Sequence, residues 1–211
     1  MSGSPKDFDI VNLTETSQFE DFFKTNVNIE GYDPFYSPSN TSKGGTGIYV
    51  KSIYNTVERT DLKITHDNFE STWIEIKNTK SKNIVCGCIY RHPRYDLDEF
   101  LRYITKCLEI LSKENKEVYI AGDFNIDLLK LDNFPSYLEF YNLMTSNGFL
   151  SQIINPTRVT TNTSTIIDNI YSNCHENNQY SGNILLSISE HFSQFTSVER
   201  KKLDFRNINI L

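Results

Sequence analysis

Short apolar runs separated by polar turns recur along the chain, and most of them predict strands. Phe8 to Leu13 is such a run, closed by Thr14-Glu15-Thr16, and reads as a buried strand leading into a loop. The turn cluster Lys43-Gly44-Gly45-Thr46-Gly47 precedes Ile48 to Lys51, which has strand composition. Trp73 to Lys77 alternates apolar and polar, as a half-buried strand does. Asn83 to Tyr90 is nearly all apolar, which predicts a strand covered on both faces with Cys86 and Cys88 pointing the same way. Leu97 to Leu111 changes period: Leu97, Phe100, Leu101, Ile104, Leu108 and Leu111 recur at helical spacing. Glu117 to Ala121 predicts the next strand. A second helix is expected from Ser136, with Glu139 at capping-box spacing, to Asn147-Gly148. Further strands are predicted at Leu150 to Ile154, Ile166 to Tyr171, Ile184 to Ile188 and Phe192 to Val198. Residues 199 to 211 read as a tail or as the start of a further region. This order of many strands and few helices predicts an α/β protein with two stacked sheets and helices outside, in one domain spanning 1–211.

Composition narrows the functional classes. Lys+Arg 21 against Asp+Glu 27 leaves a net charge of −6. A domain that binds nucleic acid by bulk electrostatics needs a basic surplus, so that class is disfavoured. Metal-dependent phosphate chemistry stays open, because a bound dication inverts the local charge. The four cysteines match neither a zinc site nor a disulfide framework, which predicts a reducing, intracellular compartment. No apolar run approaches the ~20 residues of a membrane span, so no membrane partner is expected.

Polar residues recur where the apolar runs end. Glu15, Tyr90 with Arg91, Asp123 with Asn125, Asp168, and Glu190-His191 all occupy such positions. Gathered at one rim, they make a cleft of several carboxylates, an imidazole and a cation. Carboxylates so placed must hold a metal or shift their pKa values.

L-T-E-T at 13–16, Y-R-H-P at 90–93, G-D-F-N at 122–125, N-P-T-R at 155–158, S-T-I-I-D-N-I at 164–170 and S-E-H-F at 189–192 appear in that order. Together they resemble the endonuclease/exonuclease/phosphatase superfamily, which includes deoxyribonuclease I. Within it they are most similar to the endonuclease domain of non-LTR retrotransposons. The resemblance covers residues 7–198, and the order of six motifs makes it specific.

It implies a four-layer, deoxyribonuclease I-like sandwich of two mixed sheets flanked by helices. It also implies Mg²⁺-dependent phosphodiester hydrolysis, with Mn²⁺ as an alternative ion, that nicks DNA. By motif, Glu15 matches a metal-binding glutamate, and Glu190 stands where the family has a second acid. Tyr90 and Arg91 match a phosphate-facing pair, Asp123 the residue that activates water, and Asn125 its orienting neighbour. Asp168 matches the aspartate that orients a histidine, and His191 matches that histidine. Asp123 and His191 both remain candidates for the proton acceptor. Thr157 and Ser189 resemble substrate-side hydroxyls. A monomer in the nucleus or cytoplasm is expected. The reverse transcriptase that follows in the family is not among these 211 residues.

Two departures stand out. Family members carry a strand ahead of L-T-E-T with an asparagine near the metal, yet Glu15 lies 14 residues after Met1, so that first strand is expected to be missing. Glu190 replaces the aspartate of S-D-H. They motivate a second reading, an inactive remnant; a third is a phosphatase of phosphoinositide or sphingolipid headgroups. His66, His92 and His175 carry no motif support, and surface or loop positions are expected for them.

Overall fold

The computed structural model describes residues 8–16, 28–41, 43–175, 178–185, 189–199 and the backbone of a strand at 208–210. In chain order the elements are β1 (Ile10–Thr14), β2 (Tyr32–Ser37), β3 (Thr46–Lys51), β4 (Thr56–Glu58), β5 (Ile64–His66), β6 (Phe69–Ile76) and β7 (Ile84–Arg91). Then come α1 (Asp98–Leu111), β8 (Glu117–Asp123), a 3₁₀ turn (Leu128–Lys130), α2 (Pro135–Ser146), β9 (Leu150–Ser151), β10 (Arg158–Val159) and β11 (Ser164–Thr165). The last are β12 (Asp168–Ser172), β13 (Gln179–Ile184), β14 (Ser193–Val198) and β15 (Ile208–Ile210).

Two mixed sheets stack face to face, as expected. One has the order β13-β14-β15-β1-β3-β2; the other runs β4-β6-β7-β8-β12-β9, with β5 also on β6. Strand alternation divides the core. Ile84, Cys86 and Cys88 of β7 pack between the sheets with Ile10, Ile48 and Val50. Val85 and Ile89 face the other way, onto the layer made by α1 and α2. All eight residues of β7 are buried, which explains its unbroken apolar run. The helical spacing of α1 is also reproduced: Phe100, Leu101, Ile104, Leu108 and Leu111 are buried, joined by Cys107. On its outer face the first sheet carries Val11, Tyr32 and Tyr49.

Two glycines are dictated by close approach. The Trp73 indole lies 2.5 Å from where a Cβ on Gly87 would sit. Gly122 has φ +150°, and a Cβ there would fall 1.8 Å from the Ile89 carbonyl oxygen. Parallel β7 and β8 therefore meet tightly one residue before Asp123.

Several boundaries differ from expectation. α2 starts at Pro135 with no side-chain cap, so the Ser136–Glu139 capping box does not form; proline at the first helical position pre-sets φ and sets the start instead. Leu150 to Ile154 pairs only over β9. The strand expected at Ile184 to Ile188 is β13, which ends at Ile184, and 186–188 lie outside the described residues. The expected tail contributes β15, a segment too short for periodicity to reveal. β15 lies between β14 and β1. Among the described residues, no helix is long and apolar enough to cross a membrane.

Candidate active site

One row of paired positions builds the site. Glu70, Tyr90, Asp123 and Asp168 are successive partners across β6, β7, β8 and β12. Side chains in such a row share a face. Tyr119 and Ala121 of β8, and Ile170 of β12, belong to the core between the sheets. Asp123 and Asp168 continue that inner face to the rim, where the core opens into a cleft of about 430 Å³. Across it stands β1, with Ile10 packed inward, which places Asn12 and Thr14 on the inner face too. Asn12, Thr14, Glu15, Asp123, Asp168 and His191 all line this cleft.

His191 is carried there by the backbone. It forms an isolated antiparallel bridge with Arg158, and the next N–H, of Phe192, donates to the Thr157 carbonyl at 2.7 Å. Its Nδ1 lies 3.2 and 3.1 Å from the two oxygens of Asp168. The hydrogen bond to Asp168 raises the imidazole pKa against the opposing effect of burial. It also fixes the ring orientation, with the Nδ1 proton on the Asp168 side. Ligand atoms of Asp123, Asp168 and His191 lie within 4.8 Å of one another.

Asp123 is 5% exposed. Burial, and then the charge of Asp168, push its carboxyl well above the usual range. The Asn125 N–H donates to Asp123 Oδ1 at 3.0 Å. Asn125 itself has φ +50°, and its amide donates to the Arg91 carbonyl at 2.7 Å. This conformation is one that asparagine tolerates better than most residues. Glu15, at φ +56° and exposed, accepts a 2.8 Å hydrogen bond from the Tyr90 hydroxyl. Burial, and then that carboxylate, keep the Tyr90 phenol protonated far beyond neutral pH.

Three expected site residues stand elsewhere. Arg91 is buried and donates to the carbonyls of Phe124, Asn125, His92 and Tyr95 at 2.7, 2.7, 3.0 and 3.0 Å. It follows Tyr90 on the strand and so points to the opposite face, clasping the loop after β8. Thr157 is fully buried, and its hydroxyl oxygen accepts from the Ile167 and Asp168 N–H groups, both at 3.2 Å, bracing Asp168. Glu190 is exposed and pairs with Arg158 at 2.7 Å, outside the cleft and the metal-capable cluster. Ser189 does line the cleft, where its hydroxyl accepts the His191 N–H at 3.0 Å.

Other residues escaped the sequence reading. His92 is buried, with Nε2 3.2 Å from Glu70 Oε1 behind Tyr90, not at the surface. Asn12 turns a buried Oδ1 toward the site with no hydrogen-bond partner among the described residues. Asn12 carries no motif signal, because it sits inside a run that reads as ordinary strand.

The donor set suits a hard divalent cation. Asp123, Asp168 and Glu15 offer carboxylate oxygens and Asn12 an amide oxygen, the ligand types that Mg²⁺ and Mn²⁺ prefer. Two buried like charges set directly opposite each other also favour a dication between them.

A two-sheet sandwich whose rim gathers acids, a tyrosine and an aspartate-bound histidine defines a class of phosphoester hydrolases. The sequence profile of the Endonuclease/Exonuclease/phosphatase family matches residues 3–182, and the chain belongs to that family. Its members are generally metal-dependent nucleases or phosphatases. A search of curated protein sequences finds no match. Among solved structures, the fold is similar to the endonuclease domain of TRAS1, a telomere-specific non-LTR retrotransposon. That match has 15% identity and a TM-score of 0.69, covering 93% of this chain and 89% of that one. It is also similar to a 3'-5' exonuclease (NExo) from Neisseria meningitidis, at 13% identity and TM-score 0.65, covering 91% and 90%. The catalytic domain of Xenopus laevis APE2 matches at 19% identity and TM-score 0.51, covering 80% and 74%.

Proposed function

We propose that this chain is a DNA-nicking endonuclease that hydrolyses one phosphodiester with the help of Mg²⁺, Mn²⁺ serving in its place. The observation that carries the reading is the convergence of Asp123, Asp168 and His191 within 4.8 Å at the rim of an open cleft. The likeness to nuclease folds supports it. We read the chain as one catalytic domain acting as a monomer.

In this reading Asp168 holds His191 as a cation whose remaining N–H meets a phosphate oxygen. Asp123 takes the proton of the attacking water, a carboxylate in the cleft serving as general base. Asn125 keeps the Asp123 carboxylate oriented through its N–H. Tyr90 directs Glu15 by donating to it, and Glu15, Asp123 and Asn12 are the side chains that would hold the ion. The bound cation supplies Lewis-acid stabilisation of the charge that builds on the phosphate.

Supercoiled plasmid tests the reading. The purified chain should nick it in Mg²⁺ and not in EDTA. Asp123→Ala and His191→Ala should each lose at least about 100-fold in rate while melting as cooperatively as the parent. Nicking retained in both variants overturns the roles. Release of inorganic phosphate from inositol phosphates, without nicking, replaces the substrate class.

A further inference from the structure

Thr165, Arg158 and His191 are successive partners across three short segments. Arg158 pairs with Thr165 in the β10–β11 ladder and with His191 through the isolated bridge. Direct antiparallel partners share a face, with Cβ atoms about 5 Å apart, so Arg158 stands beside the histidine of the site. Asp168 raises the His191 pKa and the charge of Arg158 opposes it, so the imidazole lies within the field of the guanidinium. In a chain with a net charge of −6, this is a local concentration of positive charge at the edge of the acid cleft.

The Arg158 fork is only half used. Its Nη2 donates to Glu190 Oε2 at 2.7 Å, while its Nε is buried with no partner among the described residues. Across the ladder, Thr165 Oγ1 is buried and unpartnered in the same way. The Nε and one terminal nitrogen of a guanidinium form two parallel donors, matched by two oxygens of a carboxylate or of a phosphodiester. The Arg158 and Glu190 side chains are 42% and 61% exposed, and an ion pair so placed adds little to stability. Glu190 is therefore cheaply displaced by a better acceptor.

We infer that Arg158 binds a DNA phosphate beside the one that His191 meets, and that Glu190 holds the same fork in the free protein. This rests on the nuclease reading. Arg158 is not part of the lining of the cleft, so the phosphate it takes is a flanking one and not the one cleaved. On exchange, a phosphate replaces a carboxylate on the guanidinium, and Glu190 returns to water. A phosphate between Arg158 and Thr165 also gives Nε and the hydroxyl the acceptor that each lacks. Glu190 thus competes with DNA for Arg158.

Binding of a short duplex to the full chain in EDTA, over a range of salt concentrations, tests this without turnover. Arg158→Gln should weaken binding about tenfold and lower the salt dependence by about one phosphate contact. Arg158→Lys keeps the charge but not the fork; it should keep the salt slope and bind several-fold more weakly. Glu190→Gln should tighten binding several-fold, and only while Arg158 is present, so the double variant should match Arg158→Gln. In nicking, these variants should shift KM far more than kcat. Absent or unchanged binding in Arg158→Gln and parent alike overturns the inference, as do single effects that simply add, the behaviour of unlinked surface charges. A chain that fails to nick yet shows the coupling loses the nuclease reading alone. One that nicks without the coupling loses this inference alone.

Discussion

Asp123 and Asp168 face each other directly across the antiparallel β8–β12 ladder, both buried. Opposed like charges in a sheet destabilise it, so this pair carries a cost in stability.

Asp123→Asn should therefore stabilise the metal-free protein by on the order of 1 kcal/mol, a rise of about 2–4 °C in melting temperature. The amide oxygen can still accept the Asn125 N–H. Mg²⁺ should raise the melting temperature of the parent more than that of the variant. Calorimetry in EDTA and in Mg²⁺ checks both; identical melting of the two metal-free proteins contradicts the strained pair.

Thr157 acts through Asp168. Thr157→Val leaves the N–H groups of Ile167 and Asp168 buried without their acceptor, costing about 1–3 kcal/mol. Nicking should lose kcat with little change in KM, because the variant disturbs the Asp168–His191 pair and not DNA binding. Thr157→Ser, which keeps the hydroxyl, should restore the rate. A raised KM with unaltered melting would place Thr157 on the substrate instead.

Arg91→Lys should be a stability variant. An ammonium cannot reach four carbonyls arranged around a planar guanidinium, and the loss should be about 2–4 kcal/mol in urea unfolding. KM for plasmid should stay at the parent value in conditions where the variant is folded. A several-fold higher KM with unchanged unfolding would return Arg91 to the phosphate.

Acid stability should depend on Glu75, near the far end of the same strand as Glu70. Burial pushes its carboxyl up, but hydrogen bonds from Lys116, Lys77 and Asn83 outweigh that and bring it to about 2. Its folded-state pKa lies below the ordinary value of 4.5, so it stabilises the fold fully above that pH and loses the contribution as pH falls toward 2. Glu75→Gln should remove this slope between about pH 4.5 and 2, and lower stability at pH 7 by on the order of 3 kcal/mol by leaving Arg59 and Lys116 short of a partner. Urea unfolding from pH 2 to 7 measures it; parallel curves for parent and variant would remove Glu75 from the account.

The chain's own order of residues determined the elements with strong periodicity and the rim positions. β7 reads as doubly buried because apolar residues fill both faces, and α1 reads as a helix because its apolar residues share one stripe. Tyr90, Asp123 and Asp168 were legible because polar residues bounding apolar strands mark where the strands leave the core. Sequence cannot state which face of a strand meets which layer, or what a charged group finds there. Tertiary structure alone sent Arg91 to four carbonyls, Glu190 to Arg158 and Thr157 beneath Asp168. It alone revealed Asn12 and the Glu70–His92 pair, and it set β15 beside β1. The physical reason is range: periodicity records whether a position is buried, a property of neighbours along the chain. Hydrogen-bond partners and strand neighbours are chosen between segments far apart in sequence, and only the packed sheets bring those together.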